Sequence, residues 1–281
     1  MAFRIAVIGA GQMGAGIAEV AARSGHTVLL HDRSDALIAR GIANIEKNLA
    51  RAVEKGRIDA AGRDAVVARI APTPTIDALD VDLAIEAATE ALDLKLEIFS
   101  RLDAATPQSA ILASNTSSIS ITTLGAATKR PERVIGMHFM NPVPVMALVE
   151  IIRGIATSQA TFEFTEKLAR EMGKTPVEVR DFPGFVSNRV LMPMINEAIY
   201  ALFEGVGSVE AIDTVIKLGM NHPMGPLQLA DFIGLDTCLA IMEVLHEGFG
   251  DSKYRPCPLL KQYVAAGWFG KKSGRGFYSY A

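Results

Sequence analysis

Apolar positions along this 281-residue chain follow two regimes. Up to about residue 183, short continuous apolar runs alternate with stretches of helical spacing; beyond Phe185 only the helical spacing remains. The runs at 4–8, 27–30, 81–85, 110–114, 134–139, 145–152 and 175–179 predict strands. Their continuous apolar character suits a parallel sheet covered on both faces. Helices are predicted after Gly14 up to Gly25, then over 34–69, 92–102 and 158–172, with Pro72 and Pro74 as a linker. This alternation is that of an α/β sheet domain over residues 1–183. Residues 184–281 predict an all-helical domain with helices at 186–203, 209–218, 226–246 and 258–266, closed by a glycine- and lysine-rich tail.

The first strand runs directly into Gly9-Ala10-Gly11-Gln12-Met13-Gly14, and the second ends at His31-Asp32. Gly9 permits a tight turn, Gly11 a close backbone approach to a pyrophosphate, and Gly14 close packing of helix on strand. The helix N-terminus offers free N–H groups to phosphates. Asp32 suits the two hydroxyls of an adenosine ribose and repels a 2′-phosphate, which favours NAD over NADP; Arg33 beside it works the other way. FAD would use the same opening, but nothing later reads as a flavin domain.

Charge alters the picture little. With 28 basic and 31 acidic residues the chain carries a formal −3, which calls for neither nucleic acid nor an anionic membrane as partner. No apolar stretch reaches the roughly 18 residues of a membrane span. Cys238 and Cys257 make neither a disulfide framework nor a metal set, and the histidines and acids do not fall at ligand spacings, so no metal is expected. Buried thiols in a reducing cytoplasm are the expectation. One helical face carries Lys47, Arg51 and Lys55, continuing to Arg57 and Arg63; charge alone reads this as a solvated face.

Ligands of an open α/β sheet bind at the C-terminal ends of its strands. Glu86 and Glu90, Asn115-Thr116-Ser117, His138 and Glu150 lie at such ends or just beyond. Of the five histidines, only His138 combines a strand end with a carboxylate on the following strand. If those strands are adjacent, Glu150 fixes the imidazole tautomer and leaves the other nitrogen for a proton, as alcohol oxidation needs. The alternative is a histidine capping a strand end and a glutamate in solvent. Ser117 and Asn188 are uncharged donors for a substrate oxygen, Asn188 being early in the first helix of the second domain, where an interdomain cleft is expected.

The segments GAGQMGAGIA, NTSSISI, GMHFMNPVPVMALVEII, DFPGFVSNRVL, LGMNHPMGPLQLADFIGLD and KKSGRGFY, in this order, closely resemble the L-3-hydroxyacyl-CoA dehydrogenases, nearest to their single-function bacterial 3-hydroxybutyryl-CoA branch. The resemblance spans essentially the whole chain. It implies a Rossmann-like N-terminal NAD-binding domain, an all-helical C-terminal domain for substrate binding and dimerisation, an acyl-CoA substrate and a cytoplasmic homodimer. It further implies that His138 is the general base or acid, oriented by Glu150, with Ser117 and Asn188 at the substrate's 3-oxygen. Gly9, Gly11, Gln12, Met13, Gly14 and Asp32 then form the NAD motif, and Glu90, Lys95 and Asn115 add cofactor contacts. It recasts the basic helix face as a site for the CoA phosphates, Lys55 first, then Arg51 and Asn48. Leu191, Ile195, Ile199, Leu229 and Ile233 fit a dimer face or an internal core equally well. The rival expectations are a related dehydrogenase of a free hydroxy acid, of the L-gulonate type, and a nucleotide-binding protein without turnover.

Overall fold

The computed structural model describes residues 2–280. Contacts divide them into two compact units, the first ending at Asp181 and the second beginning at Phe182.

The first unit is built on one eight-stranded sheet of order β3-β2-β1-β4-β5-β6-β7-β8. Its elements are β1 (Arg4–Ile8), α1 (Gln12–Arg23), β2 (Thr27–His31), α2 (Asp35–Glu54), α3 (Ala60–Val67), β3 (Ile70–Pro72), β4 (Leu83–Glu86), α4 (Leu92–Ala105), β5 (Ile111–Ser114), α5 (Ile121–Ala126), β6 (Val134–Phe139), β7 (Leu148–Arg153), α6 (Gln159–Glu171) and β8 (Thr175–Arg180). Strands β1 to β6 pair in parallel, β7 runs antiparallel to β6, and β8 is parallel to β7. β4, β5 and β6 are buried at every position, as their unbroken apolar runs require.

The sequence expectations differ from this structure in a few places. Residues 70–72 form an edge strand on β2 where a linker was expected; Pro72 lacks an N–H and is tolerated there because the outer side of an edge has no partner. The helical pattern over 34–69, whose apolar stripe is broken by Gly56, forms two helices, α2 and α3, parted around that glycine at φ +64. β7 starts at Leu148 and not at Val145, because Val145 and Met146 donate their N–H groups to the Pro142 carbonyl in a turn. The short helix α5 was not foreseen. Ser120 caps it, and the Asp181 carboxylate takes the N–H groups of Ile121 and Thr122 and the Ser120 hydroxyl.

The second unit holds α7 (Ser187–Phe203), α8 (Val209–Thr214), α9 (Pro226–Ile233), α10 (Leu235–Phe249) and α11 (Pro258–Ala265). The helix expected over 226–246 breaks at Gly234, whose φ of +102 no helix accommodates. Its core gathers Met192, Ile195, Ile199, Leu227, Leu235, Cys238 and Leu245, with Leu191, Leu229 and Ile233 packed against it. Ile195 and Ile199 are therefore core residues, and both cysteines are buried free thiols. The tail folds back onto the buried Asp231, whose carboxylate accepts the N–H groups of Phe277 and Tyr278 and the Tyr280 hydroxyl. Among the described residues no helix is long and apolar enough to cross a membrane.

At the N-terminal edge of β6, the fully buried Arg130 donates to Asp103 Oδ1 of α4 at 2.8 Å and also to the carbonyls of Asp103, Thr106 and Pro107. One side chain thus closes the exposed backbone acceptors at the end of α4. Removing a partner from a buried ion pair strands the other charge, at about 3–5 kcal/mol. Arg130→Met is expected to lower unfolding stability by about that amount, read as a lower urea midpoint; an unchanged midpoint would show that the pair is dispensable.

Candidate active site

The strand order reverses between β1 and β4, and there the crevice for a ligand opens. Gly9, at φ +110, lies where an added Cβ would be 2.6 Å from the Ala87 carbonyl oxygen. A Cβ on Gly14 would lie 1.7 Å from the Gly9 carbonyl oxygen, so only glycine lets α1 approach the turn this closely. Gly11 faces open space, with no heavy atom within 4 Å of its missing Cβ, and α1 begins there without a side-chain cap. Unfilled helix N–H groups beside an open glycine form a cradle for a pyrophosphate. Just past β2, Asp32 accepts the Ala10 N–H at 2.8 Å and the Arg33 N–H at 2.7 Å, which orients its carboxylate at the turn. A cavity of about 430 Å³ lined by Gly9, Gly11, Asp32, Leu37, Ile76 and Ala87 adjoins it. Glycine turn, helix terminus, oriented acid and adjacent cavity together fit the pyrophosphate and adenosine of NAD.

From the tip of β4 a polar cluster reaches the next two loops. Glu86 is fully buried; it accepts from Lys95 Nζ at 2.6 Å, from the Ala88 N–H and from the Ser114 hydroxyl of β5. Lys95, also buried, lies 3.4 Å from Glu90. Glu90 in turn accepts from the Thr116 and Ser118 hydroxyls and from the N–H groups of Ser117 and Ser118. Partial burial opposes its ionisation, but the Lys95 ammonium and these donors prevail and hold its carboxyl below the usual range. The Asn115 side chain accepts the Phe139 N–H at 2.9 Å and ties β5 to the end of β6. The loop bearing Ser117 is thereby gripped from both sides.

The antiparallel register of β6 and β7 places His138 directly opposite Glu150. Both are buried, and His138 Nδ1 lies 2.8 Å from Glu150 Oε2. An ionised carboxylate only accepts, so Nδ1 carries the proton and Nε2 is the basic nitrogen. Ser117 Oγ stands 3.0 Å from that Nε2. A hydroxyl, an imidazole and a carboxylate in sequence can accept a proton at Nε2 and stabilise the imidazolium that results.

On the other side of the glycine turn a second cavity of about 500 Å³ is bounded by α1, one face of α2 and the loop 141–144. Asn48 and Arg51 line it, together with Arg40, Asn44 and Lys47, whereas Lys55 lies at the C-cap of α2 and is not part of the lining. Arg40 and Asn44 were not singled out from sequence, although positions 40, 44, 47, 48 and 51 share one helical face by their i, i+3 and i+4 spacing. Asn188 is buried in the first turn of α7 in the second unit.

Residues 4–182 match the NAD-binding domain of 3-hydroxyacyl-CoA dehydrogenases, and residues 184–280 match the C-terminal domain of the same enzymes. A probable 3-hydroxybutyryl-CoA dehydrogenase of Bacillus subtilis is 60% identical over 99% of this chain and 97% of its own length. The 3-hydroxybutyryl-CoA dehydrogenase of Bradyrhizobium diazoefficiens is 58% identical over 99% and 95%. Among solved structures, (S)-3-hydroxybutyryl-CoA dehydrogenase from Ralstonia eutropha is similar with a TM-score of 0.97 and 51% identity, covering 99% of both chains. The chain belongs to the 3-hydroxyacyl-CoA dehydrogenase family.

Proposed function

We propose that this enzyme interconverts (S)-3-hydroxybutyryl-CoA and acetoacetyl-CoA, with NAD as its redox cofactor. The observation that carries this reading is the Ser117–His138–Glu150 series, with contacts of 3.0 and 2.8 Å, in the same unit as the glycine turn. In oxidation His138 Nε2 takes the proton of the substrate's 3-hydroxyl while Glu150 stabilises the imidazolium; in reduction the same proton returns to the 3-oxygen. Ser117 and Asn188 hold that oxygen by hydrogen bonds. The bound nicotinamide supplies the acceptor or donor of the hydride at C3. Gly9, Gly11, Gln12, Met13 and Gly14 seat the cofactor's pyrophosphate and Asp32 its ribose, while Glu90, Lys95 and Asn115 shape the nicotinamide side.

The cavity lined by Arg40, Lys47, Asn48 and Arg51 suits the phosphates of CoA, with Lys55 one turn along the same helix. A homodimer through the second unit would cover apolar side chains that it exposes, among them Val190, Val206, Leu218 and Met220. Buried free thiols and the use of NAD with a CoA thioester fit the cytoplasm.

Four experiments test this reading. Acetoacetyl-CoA is expected to drive NADH oxidation, followed at the nicotinamide absorbance; no turnover would refute the assignment. His138→Gln is expected to lose about 100- to 10,000-fold in kcat with NAD binding retained, and Glu150→Gln to lose kcat and change the pH–rate profile. Near-normal turnover in the first, or an unchanged profile in the second, would exclude the dyad. Asp32→Ala is expected to weaken NAD binding and to narrow its margin over NADP in titrations with both nucleotides.

A further inference from the structure

The cavity between α1, α2 and the loop 141–144 has two charged side chains beneath its walls that take no part in the proposed chemistry. Glu19 of α1 is 2% exposed; it accepts from Asn48 Nδ2 at 3.4 Å and lies 3.6 Å from Arg23. Lys174, just before β8, is 9% exposed; its Nζ donates to the Val143 carbonyl and, at 2.8 Å, to the Met146 carbonyl. Burial pushes the Glu19 carboxyl above its ordinary range, against Asn48, Arg23 and Lys174, which favour its ionisation. Burial likewise lowers Lys174, Arg23 adds to that, and Glu19 opposes it. Burying charge is costly, so each group needs its partners in place.

Each tie secures one wall. Asn48 lines the cavity from α2, and its amide is turned toward Glu19, which sits on α1. The opposite wall, 141–144, belongs to the long connection between β6 and β7. There the Pro142 carbonyl accepts from Val145 and Met146, and Asn141 accepts from Gln12 of the glycine turn at 3.0 Å. Val143 is buried and packs so closely on α1 that a Cβ on Gly16 would lie 2.8 Å from its own Cβ. Lys174 satisfies the Val143 and Met146 carbonyls from behind and so holds the connection against α1.

We propose that Glu19 and Lys174 are a pair of buried positioning residues that set the spacing of this cavity's walls and thereby the affinity for the phosphate-bearing end of the acyl-CoA. Glu19 acts by aiming Asn48, and Lys174 by fixing residues 143–146. The inference rests on the reading that this cavity receives the CoA phosphates, so a variant of the cavity lining belongs in the test.

Steady-state kinetics of the full-length enzyme with acetoacetyl-CoA and NADH provide it, on Glu19→Gln, Lys174→Met, Lys174→Arg, the Glu19→Gln/Lys174→Met double variant and Arg51→Ala. Glu19→Gln and Lys174→Met are each expected to raise KM for acetoacetyl-CoA about tenfold, the scale of one charge-assisted hydrogen bond, with kcat changed by less than about threefold. Lys174→Arg, which keeps a charged donor, is expected to bring KM back to within about threefold of the parent. The double variant should fall short of the product of the single effects, as coupled sites do. A KM unmoved in both single variants, or a loss confined to kcat, overturns the proposal. Glu19→Gln preserves the side-chain shape and carries the test if Lys174→Met fails to fold. If Arg51→Ala raises KM and neither buried variant does, the positioning role fails while the cavity keeps its assignment. If none of the three moves KM, the cavity does not bind CoA phosphates and the proposal falls with it.

Discussion

The reversal of strand direction between β6 and β7 is the constraint on which this site depends. A sheet that stayed parallel would need a crossover helix there and would carry the next strand end away from His138. Antiparallel pairing instead puts Glu150 opposite His138 in register, 2.8 Å from its Nδ1. A buried imidazole beside a buried carboxylate keeps one tautomer, because only Nδ1–H can satisfy the carboxylate. The basic nitrogen is thus directed by backbone pairing, before any ligand arrives.

The surroundings of that pair are organised to hold geometry rather than to add charge. Glu86, Lys95 and Glu90 carry order from the tip of β4 to the loop of Ser117, and the Asn115 side chain fastens the same loop region to β6. Asp181 clasps the start of α5 a few residues further on. Reacting groups on short loops keep sub-ångström placement only if their backbone N–H groups are occupied in this way.

The glycine turn works by the opposite means, through what is missing. Gly14 has no Cβ because the Gly9 carbonyl occupies that space, and Gly11 leaves its side open. Two faces of one turn border cavities: toward β4 lies the one bounded by Asp32, and toward α2 lies the one bounded by Asn48 and Arg51. A single short loop therefore separates the space suited to NAD from the space suited to the anionic end of the substrate.

The amino-acid pattern alone determined the α/β-then-helical division, most strands, the glycine turn with Asp32, and the candidacy of His138. Those features are local: a short continuous apolar run or a 3.6-residue period, a turn that only glycine can make, a strand end that presents a side chain. Tertiary structure decided what depends on partners distant in the chain. Ile70–Pro72 became a strand only because β2 offered an edge, and α5 formed where Asp181, 60 residues away from Ile121, supplied its missing acceptor. The contact of His138 with Glu150 required a strand direction that no spacing of 12 residues encodes. Glu19 and Lys174, ordinary charges in sequence, became buried neighbours of one cavity because packing of α1 on the 141–146 connection brought them there.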